Sequence, residues 1–365
     1  MFGLAVNPTN TSLLIAGDSN GSIYRSSDAG STWSAVHSGK SPVLTIGFDS
    51  LNPNIVLAGT QNTGVLISKD AGAHWSTTTG MEGRGVRAVA FAQQLMVAAT
   101  DHGVYLSADG TSWSASTLTG SIDAVAVLAV NPPVRIVAGG DSATGAVPMW
   151  VSADAGLTWS NLSAAISGTI VTRIASGPLP ASSSVRPMVV GTNTGLFISS
   201  DNGSSFKTLS GAQLLPSIDY TQAAFTGSHF DRFYVASDGG GGKSGGLWAT
   251  ADSGQHFSSL QPPINSITGL AVSSDEQPVL YVATFHAADH TAKLWAYRDT
   301  GGAPQGPFGT SSPTASAART SPPGTSLGDL LHSLASSQAP YIALGVIALG
   351  VILLAAITQF RSRRR

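Results

Sequence analysis

Short apolar runs punctuated by Gly, Pro, Asn and Asp follow one another along most of this chain, and up to about residue 308 none of them carries the 3.6-residue period of an amphipathic helix. The first unit reads as an apolar strand from Phe2 to Val6 closed by Asn7-Pro8, a second from Ser12 to Ala16 and a third from Ser22 to Ser26. A polar turn then leads into a fourth strand that begins at Trp33. The same sequence of events recurs, and the pattern predicts four antiparallel strands per unit.

The polar turn keeps the register of the repeat. Its copies centre on Asp28, Gly30 and Trp33; Asp70, Gly72 and Trp75; Asp109, Gly110 and Trp113, one residue shorter; Asp154, Gly156 and Trp159; Asp201, Gly203 and Phe206; and Asp252, Gly254 and Phe257. A seventh copy keeps only Asp299 and Gly301. The aspartates fall at intervals typical of radial or stacked repeats. Five residues before each stands an apolar side chain, Ile23, Val65, Val104, Met149, Leu196, Leu247 and Leu294, so the decayed copy still matches where packing matters. Seven units of four short strands predict an all-β, seven-bladed β-propeller, in which radial repetition leaves only short, protected sheet edges.

Each turn residue has a mechanical reason. An Asp carboxylate accepts backbone N–H bonds from residues just ahead of it, and Gly supplies a backbone angle that other residues resist. The Ser or Thr at the head adds a local bond, and the closing aromatic buries a large apolar area. The turn is therefore read as a structural staple. In its Ser-x-Asp-x-Gly-x-Thr-Trp form it resembles the Asp-box, or BNR, repeats of sialidases, xyloglucanases, sortilin-type receptors and photosystem II assembly factors. The resemblance covers residues 1 to about 308 and implies a propeller whose Asp-boxes sit at the blade periphery, away from any chemistry; it does not choose an activity.

Beyond the repeats the character of the chain changes. Thr300 to Pro340 is rich in Pro, Ser, Thr and Ala and reads as a disordered stalk, with the linker proper at 309–340. Tyr341 to Phe360 is a run of twenty residues without a formal charge, enough for one transmembrane helix, and 361–365 is a basic tail, Arg361-Ser362-Arg363-Arg364-Arg365. By the positive-inside tendency the tail is expected in the cytoplasm and the propeller, residues 1–308, outside the cell membrane. No signal peptide is visible at the start, MFGLAVNPTN, which already reads as a strand; the expectation is that the true start lies upstream, the alternative being tail-first insertion.

Composition narrows the partners. Only 10% of residues are charged and there is no Cys, which removes disulfides and thiolate metal sites. Without the four tail arginines the rest carries 14 basic and 20 acidic residues, a net of −6, which argues against nucleic acid. The expected partners are the membrane and a protein or glycan ligand.

In such a propeller, ligands are expected on the face opposite the Asp turns, built from the loops between second and third strands and from the connections between blades. The candidates there are Glu82, Arg84, Arg87, Asp101, His102, Arg173, Tyr220, His286, Asp289 and His290, with Asp123 and Asp219 in the wider set. Asp18, Asp101, Asp141 and Asp238 are read as caps of their own turns. A sialidase needs three convergent arginines and a Tyr–Glu pair, and Arg84, Arg87, Arg173, Tyr220 and Glu82 are the residues of that type available here. A glycosidase of the two-carboxylate kind needs paired acids across a cleft. His286, Asp289 and His290 have a metalloprotease-like spacing but lie between strands, so no metal is expected, and Gly242-Lys243-Ser244 lacks the rest of a phosphate loop. No catalytic residue and no cofactor is assigned. The reading is a membrane-anchored, extracytoplasmic binding or scaffolding module, with a surface glycoside hydrolase as the alternative.

Overall fold

Seven small antiparallel sheets make up the chain in the computed structural model, which describes residues 3–300 except 132, 144–146, 163–165, 182, 212, 216, 228, 240–242 and 289–290. They span residues 4–38, 43–77, 86–115, 122–161, 171–209, 222–259 and 267–298 and are called blades 1 to 7. In each sheet the strands lie side by side in chain order, four in blades 1 to 6 and three in blade 7. The fold is the seven-bladed all-β propeller that the repeat predicts. The outermost strand of blade 7, for which the sequence offers 303–308 or nothing, the stalk, the membrane segment 341–360 and the tail fall outside the described residues. Among the described residues no helix is long and apolar enough to cross a membrane.

Burial explains the apolar runs. The second strands, such as Leu14–Gly17, Val56–Thr60, Met188–Thr192 and Phe233–Ser237, are buried at every residue, because both faces of each sheet are pressed between neighbouring blades. The short fourth strands, such as Ser76–Thr77 and Ser160–Asn161, are exposed at the rim. Opposite the recurring apolar residue of each third strand lies a small residue of the second: Gly17 faces Ile23, Gly59 faces Val65, Ala99 faces Val104 and Gly139 faces Met149. The small residue lets the next blade close in. A Cβ on Gly17 would stand 2.4 Å from Val43 Cγ1, and one on Gly139 2.6 Å from Val171 Cβ.

The ring closes by side-chain packing between blades 1 and 7. Leu14, Tyr24 and Trp33 form one apolar cluster with Ala271, Tyr281 and Ala292. Thr11 Oγ1 donates to Asp275 Oδ1 at 3.2 Å, and Ser274 Oγ donates to the Pro8 carbonyl at 2.6 Å. On the other side of blade 7, Asp299 is buried and its Oδ2 accepts the Tyr234 hydroxyl of blade 6 at 2.5 Å, with Arg232 Nε 3.8 Å away. The aspartate of the decayed seventh copy thus joins two blades.

Five of the six polar turns share one geometry. In blade 1, Ser26 Oγ donates to Asp28 Oδ1 at 2.8 Å and accepts from Gly30 N at 2.9 Å. Asp28 Oδ1 then accepts Thr32 N, Oδ2 accepts the Thr32 hydroxyl, and Trp33 Nε1 donates to the Gly30 carbonyl. Two consecutive residues are left-handed, Ala29 at φ 58° and Gly30 at φ 86°, and the pair recurs at Ala71–Gly72, Ala155–Gly156, Asn202–Gly203 and Ser253–Gly254. The shorter copy drops the first of the two: Asp109 is followed directly by Gly110, and its carboxylate accepts Thr111 N and Ser112 N instead. Hydrogen bonding to the carboxylates lowers the pKa of these groups. The Thr158 hydroxyl, then Thr158 N, then Ser152 hold Asp154 at about 2.

Candidate functional site: the central channel

The innermost strand of each blade runs from the face of the blade connections to the face of the polar turns, and the seven together surround a channel of about 750 Å³. Its wall mixes polar and apolar surface in about equal parts. The wall changes at the entry end. There the innermost strands Val43–Phe48, Val86–Ala92, Ile122–Ala129, Val171–Ser176 and Ile267–Val272 each slip register by one residue against their neighbour. The extra residues are Leu44, Arg87, Asp123, Thr172 and Thr268. A bulge takes one side chain out of the ladder and re-aims it. Leu44, Arg87, Asp123 and Thr172 line the channel.

These side chains are unequally distributed. Blades 3 to 6 supply a polar arc of Arg87, Asp123, Thr172, Arg173 and Thr221, while the opposite arc from blades 7, 1 and 2 carries Leu4, Leu44 and Thr45 and, among the described residues, no charged group. Arg87 Nη1 donates to Asp123 Oδ1 in a short ion pair and to Ser121 Oγ at 3.0 Å. Thr172 Oγ1 donates to the Tyr220 carbonyl at 2.7 Å. Three buried atoms of the arc, Asp123 Oδ2, Arg173 Nε and Thr221 Oγ1, have no hydrogen-bond partner among the described residues. Buried polar atoms are rarely left so, and each calls for an explanation. A fourth such atom, Arg135 Nε, belongs to a second strand and lies off the channel. Arg173 lines the channel, and desolvation lowers its pKa.

At the far end stand Phe48, Phe91, Phe225 and Arg186, whose Nη1 donates to the Gly177 carbonyl at 3.0 Å. The channel wall therefore carries three arginines and one carboxylate in a chain whose formal net charge is −2. A cavity with low-dielectric walls concentrates that excess of positive charge.

Of the residues singled out on sequence, the structure brings Arg87, Asp123 and Arg173 to the channel wall. The others described have their own local tasks. Glu82 caps the connection between blades 2 and 3, both carboxylate oxygens accepting Gly80 N at 3.1 Å. Asp101 Oδ1 accepts Gly85 N at 3.2 Å and faces His102 Nδ1 at 2.9 Å, and Asp18 Oδ1 accepts Asn20 N and Ser22 N. Tyr220 is buried, its hydroxyl donates to the Leu215 carbonyl at 2.8 Å, and burial pushes its pKa up. His286 ends the strand Val279–His286, and Arg84 lies on the connection beside Glu82. Asp289 and His290 fall outside the described residues. Arg84 is absent from the channel wall and Arg87 is held by Asp123, so three free arginines do not converge there. Among the described residues no group of three His, Asp or Glu comes together as a metal site.

Thr172, Thr221 and Arg186 were not among the residues picked out on sequence. A signal for the arc exists: Val86-Arg87-Ala88, Ile122-Asp123-Ala124 and Val171-Thr172-Arg173-Ile174 interrupt an apolar first strand with polar residues at its start. What the sequence does not display is the bulge that turns those residues inward.

No family model and no curated protein matches the chain. Solved structures do, at the level of fold. The crystal structure of a GH74 xyloglucanase from Xanthomonas campestris superposes with a TM-score of 0.60 at 14% identity, covering 80% of this chain and 53% of that one. The structure of U3-55K gives 0.57 at 15% identity, over 76% of this chain and 87% of that one. YCF48 from Cyanidioschyzon merolae gives 0.53 at 13% identity, over 77% and 91%. The chain thus spans about half the length of the xyloglucanase, and its likeness to all three is a likeness of β-propellers.

Proposed function

We propose that this protein is a non-catalytic binding propeller of the Asp-box type, tethered to the membrane by residues 341–360, that receives its ligand at the entry end of the central channel. One observation carries the reading. Among the described residues, three consecutive blades each present a buried polar atom without a hydrogen-bond partner on the same cavity wall, and the carboxylate there is already paired with an arginine through its other oxygen. A two-carboxylate hydrolase needs a second acid across the cleft, and among the described residues the wall offers Asp123 alone. The fold itself serves either use, since its structural neighbours include both a xyloglucanase and proteins not described as enzymes.

The test is a panel of chromogenic glycosides and sialosides offered to the full-length protein. The expected result is no release above the rate in buffer. Release that disappears in Asp123→Asn would replace this reading with a surface glycosidase. Tethering is tested separately: the full chain is expected in the membrane fraction of its host cells, with the propeller cut by protease added outside intact cells and the tail protected. Recovery of the intact chain in the soluble fraction would remove the anchor.

A further inference from the structure

The polar arc is not a symmetrical ring of hydroxyls, and its imbalance has chemical content. Arg87 and Asp123 neutralise each other, and Arg186 at the far end rests on a backbone carbonyl. Arg173 remains. It has no ion pair among the described residues, its Nε lacks an acceptor, and the Thr221 hydroxyl of the next blade lacks a partner too. A partly desolvated guanidinium without a counter-ion is costly, and a planar fork of N–H donors fits a carboxylate better than any neutral group. Beyond the arc, the wall is apolar along Ile46, Val89, Val125 and Leu270 and ends on Phe91 and Phe225.

We propose that Arg173, with Thr221 beside it, binds the carboxylate of a small amphipathic monocarboxylate whose apolar body lies along the channel. This deepens the binding reading above and rests on it. The site differs from a three-arginine clamp in using a single free arginine. The paired Asp123 on the neighbouring strand keeps the local excess at one positive charge, which suits a singly charged group better than a phosphate dianion. The carboxylate can belong to a free acid or to the C-terminus of an apolar peptide. A cavity of about 750 Å³ admits either.

The experiment is calorimetric titration of the full chain in lipid nanodiscs with 4-phenylbutyrate, with its neutral amide 4-phenylbutyramide, and with the peptide Ala-Leu-Phe as free acid and as C-terminal amide. The acid form of at least one pair is expected to bind tenfold or more tightly than its amide, and which pair does so identifies the source. Arg173→Gln is expected to weaken the acid at least tenfold and leave the amide unchanged. Arg173→Lys falls between, because charge survives and the fork does not. Since Arg173 holds no other part of the protein by an ion pair, Arg173→Gln should keep the melting temperature. Should it fail to fold, Thr221→Val, predicted to weaken the acid several-fold, gives the same decision. Equal affinity for acid and amide, no binding of any of the four up to millimolar concentration, or undiminished acid binding in folded Arg173→Gln overturns the carboxylate site. None of these results produces glycoside turnover, so failure here is distinguishable from failure of the binding reading.

Discussion

At the scale of single residues, the polar turn sets opposite demands on two neighbouring positions. Gly72 has φ 83°, and a Cβ there would stand 2.3 Å from Ile15 Cδ1 of blade 1. Gly72→Ala is therefore expected to destabilise the protein by about 2 kcal/mol, from left-handed strain and from the clash. Ala71, one residue earlier, is also left-handed at φ 56° although it carries a Cβ. Ala71→Gly removes that strain of about 1–2 kcal/mol against a chain-entropy cost of about 0.5–1 kcal/mol, so it should be neutral or slightly stabilising. Thermal denaturation of the two variants checks the pair, and a loss in both would show that the turn is not held as described.

The carboxylates of these turns give a pH prediction at the same scale. In Asp154 the bonds from Thr158 and Ser152 depress the pKa from 3.8 to about 2. In Asp70 and Asp252 desolvation acts upward but is outweighed by bonds from His74 and Ser68, and from His256 and Thr250, again giving about 2. A depressed folded-state pKa stabilises the native protein above the unfolded value and the contribution disappears as pH falls through the folded one. Melting temperature should hold down to about pH 4 and then fall steeply towards pH 2. Asp154→Asn should flatten part of that fall. An unchanged acid limb in that variant would show that the turn does not contribute through its charge.

At the scale of the element, the innermost strands do two things that ordinary strands do not combine. They pack on both faces between blades, and at their first residues they bulge into the channel. The ion pair of Arg87 and Asp123 joins two such bulges on adjacent blades. Arg87→Ala leaves Asp123, only 14% exposed and with Oδ2 already lacking a partner, without its counter-ion. A loss of about 2–3 kcal/mol is expected, and the double variant Arg87→Ala/Asp123→Ala should recover part of it. Additive losses in that cycle would show that the two side chains are not coupled. Tyr234→Phe makes the corresponding test between blades 6 and 7: it removes the hydroxyl that the buried Asp299 carboxylate accepts and should cost about 1–3 kcal/mol in denaturant unfolding.

At the scale of the whole molecule, stability depends on the ring being closed. Each blade is too small to bury its own faces, and repeats of this kind share cores with their neighbours. The junction of blades 1 and 7 has no shared strand among the described residues and relies on the Leu14–Tyr281 cluster and the bonds of Thr11 and Ser274. Leu14→Ala, at a fully buried position in that cluster, should cost about 2–5 kcal/mol and lower the single melting transition of the whole propeller. Two separate transitions in that variant would mean that the blades do not unfold as one ring.

The repeat was legible because local rules write it. A turn needing Asp, Gly and an aromatic, a strand needing an apolar residue five positions earlier, and seven recurrences are all visible without coordinates, and they determine the propeller. The small residues of the second strands, Gly17 and Gly139 among them, are visible in the sequence, but their purpose becomes apparent only when the next blade is in place, 2.4 and 2.6 Å from where a Cβ would be. The site was legible in part. Arg87, Asp123 and Arg173 stand out as polar interruptions of apolar strands, whereas Glu82, Asp101 and Tyr220 stand out equally and turn out to cap, pair or pack. What separates the two groups is a one-residue slip of register and the company of three other blades. The slip is set by pairing with the second strand of the same blade and the company by neighbouring blades whose strands lie further off in the chain, and no local pattern encodes either. The chain's own periodicity thus dictates seven sheets around an axis, and only their closure decides which side chains share the channel and which of them is left without a partner.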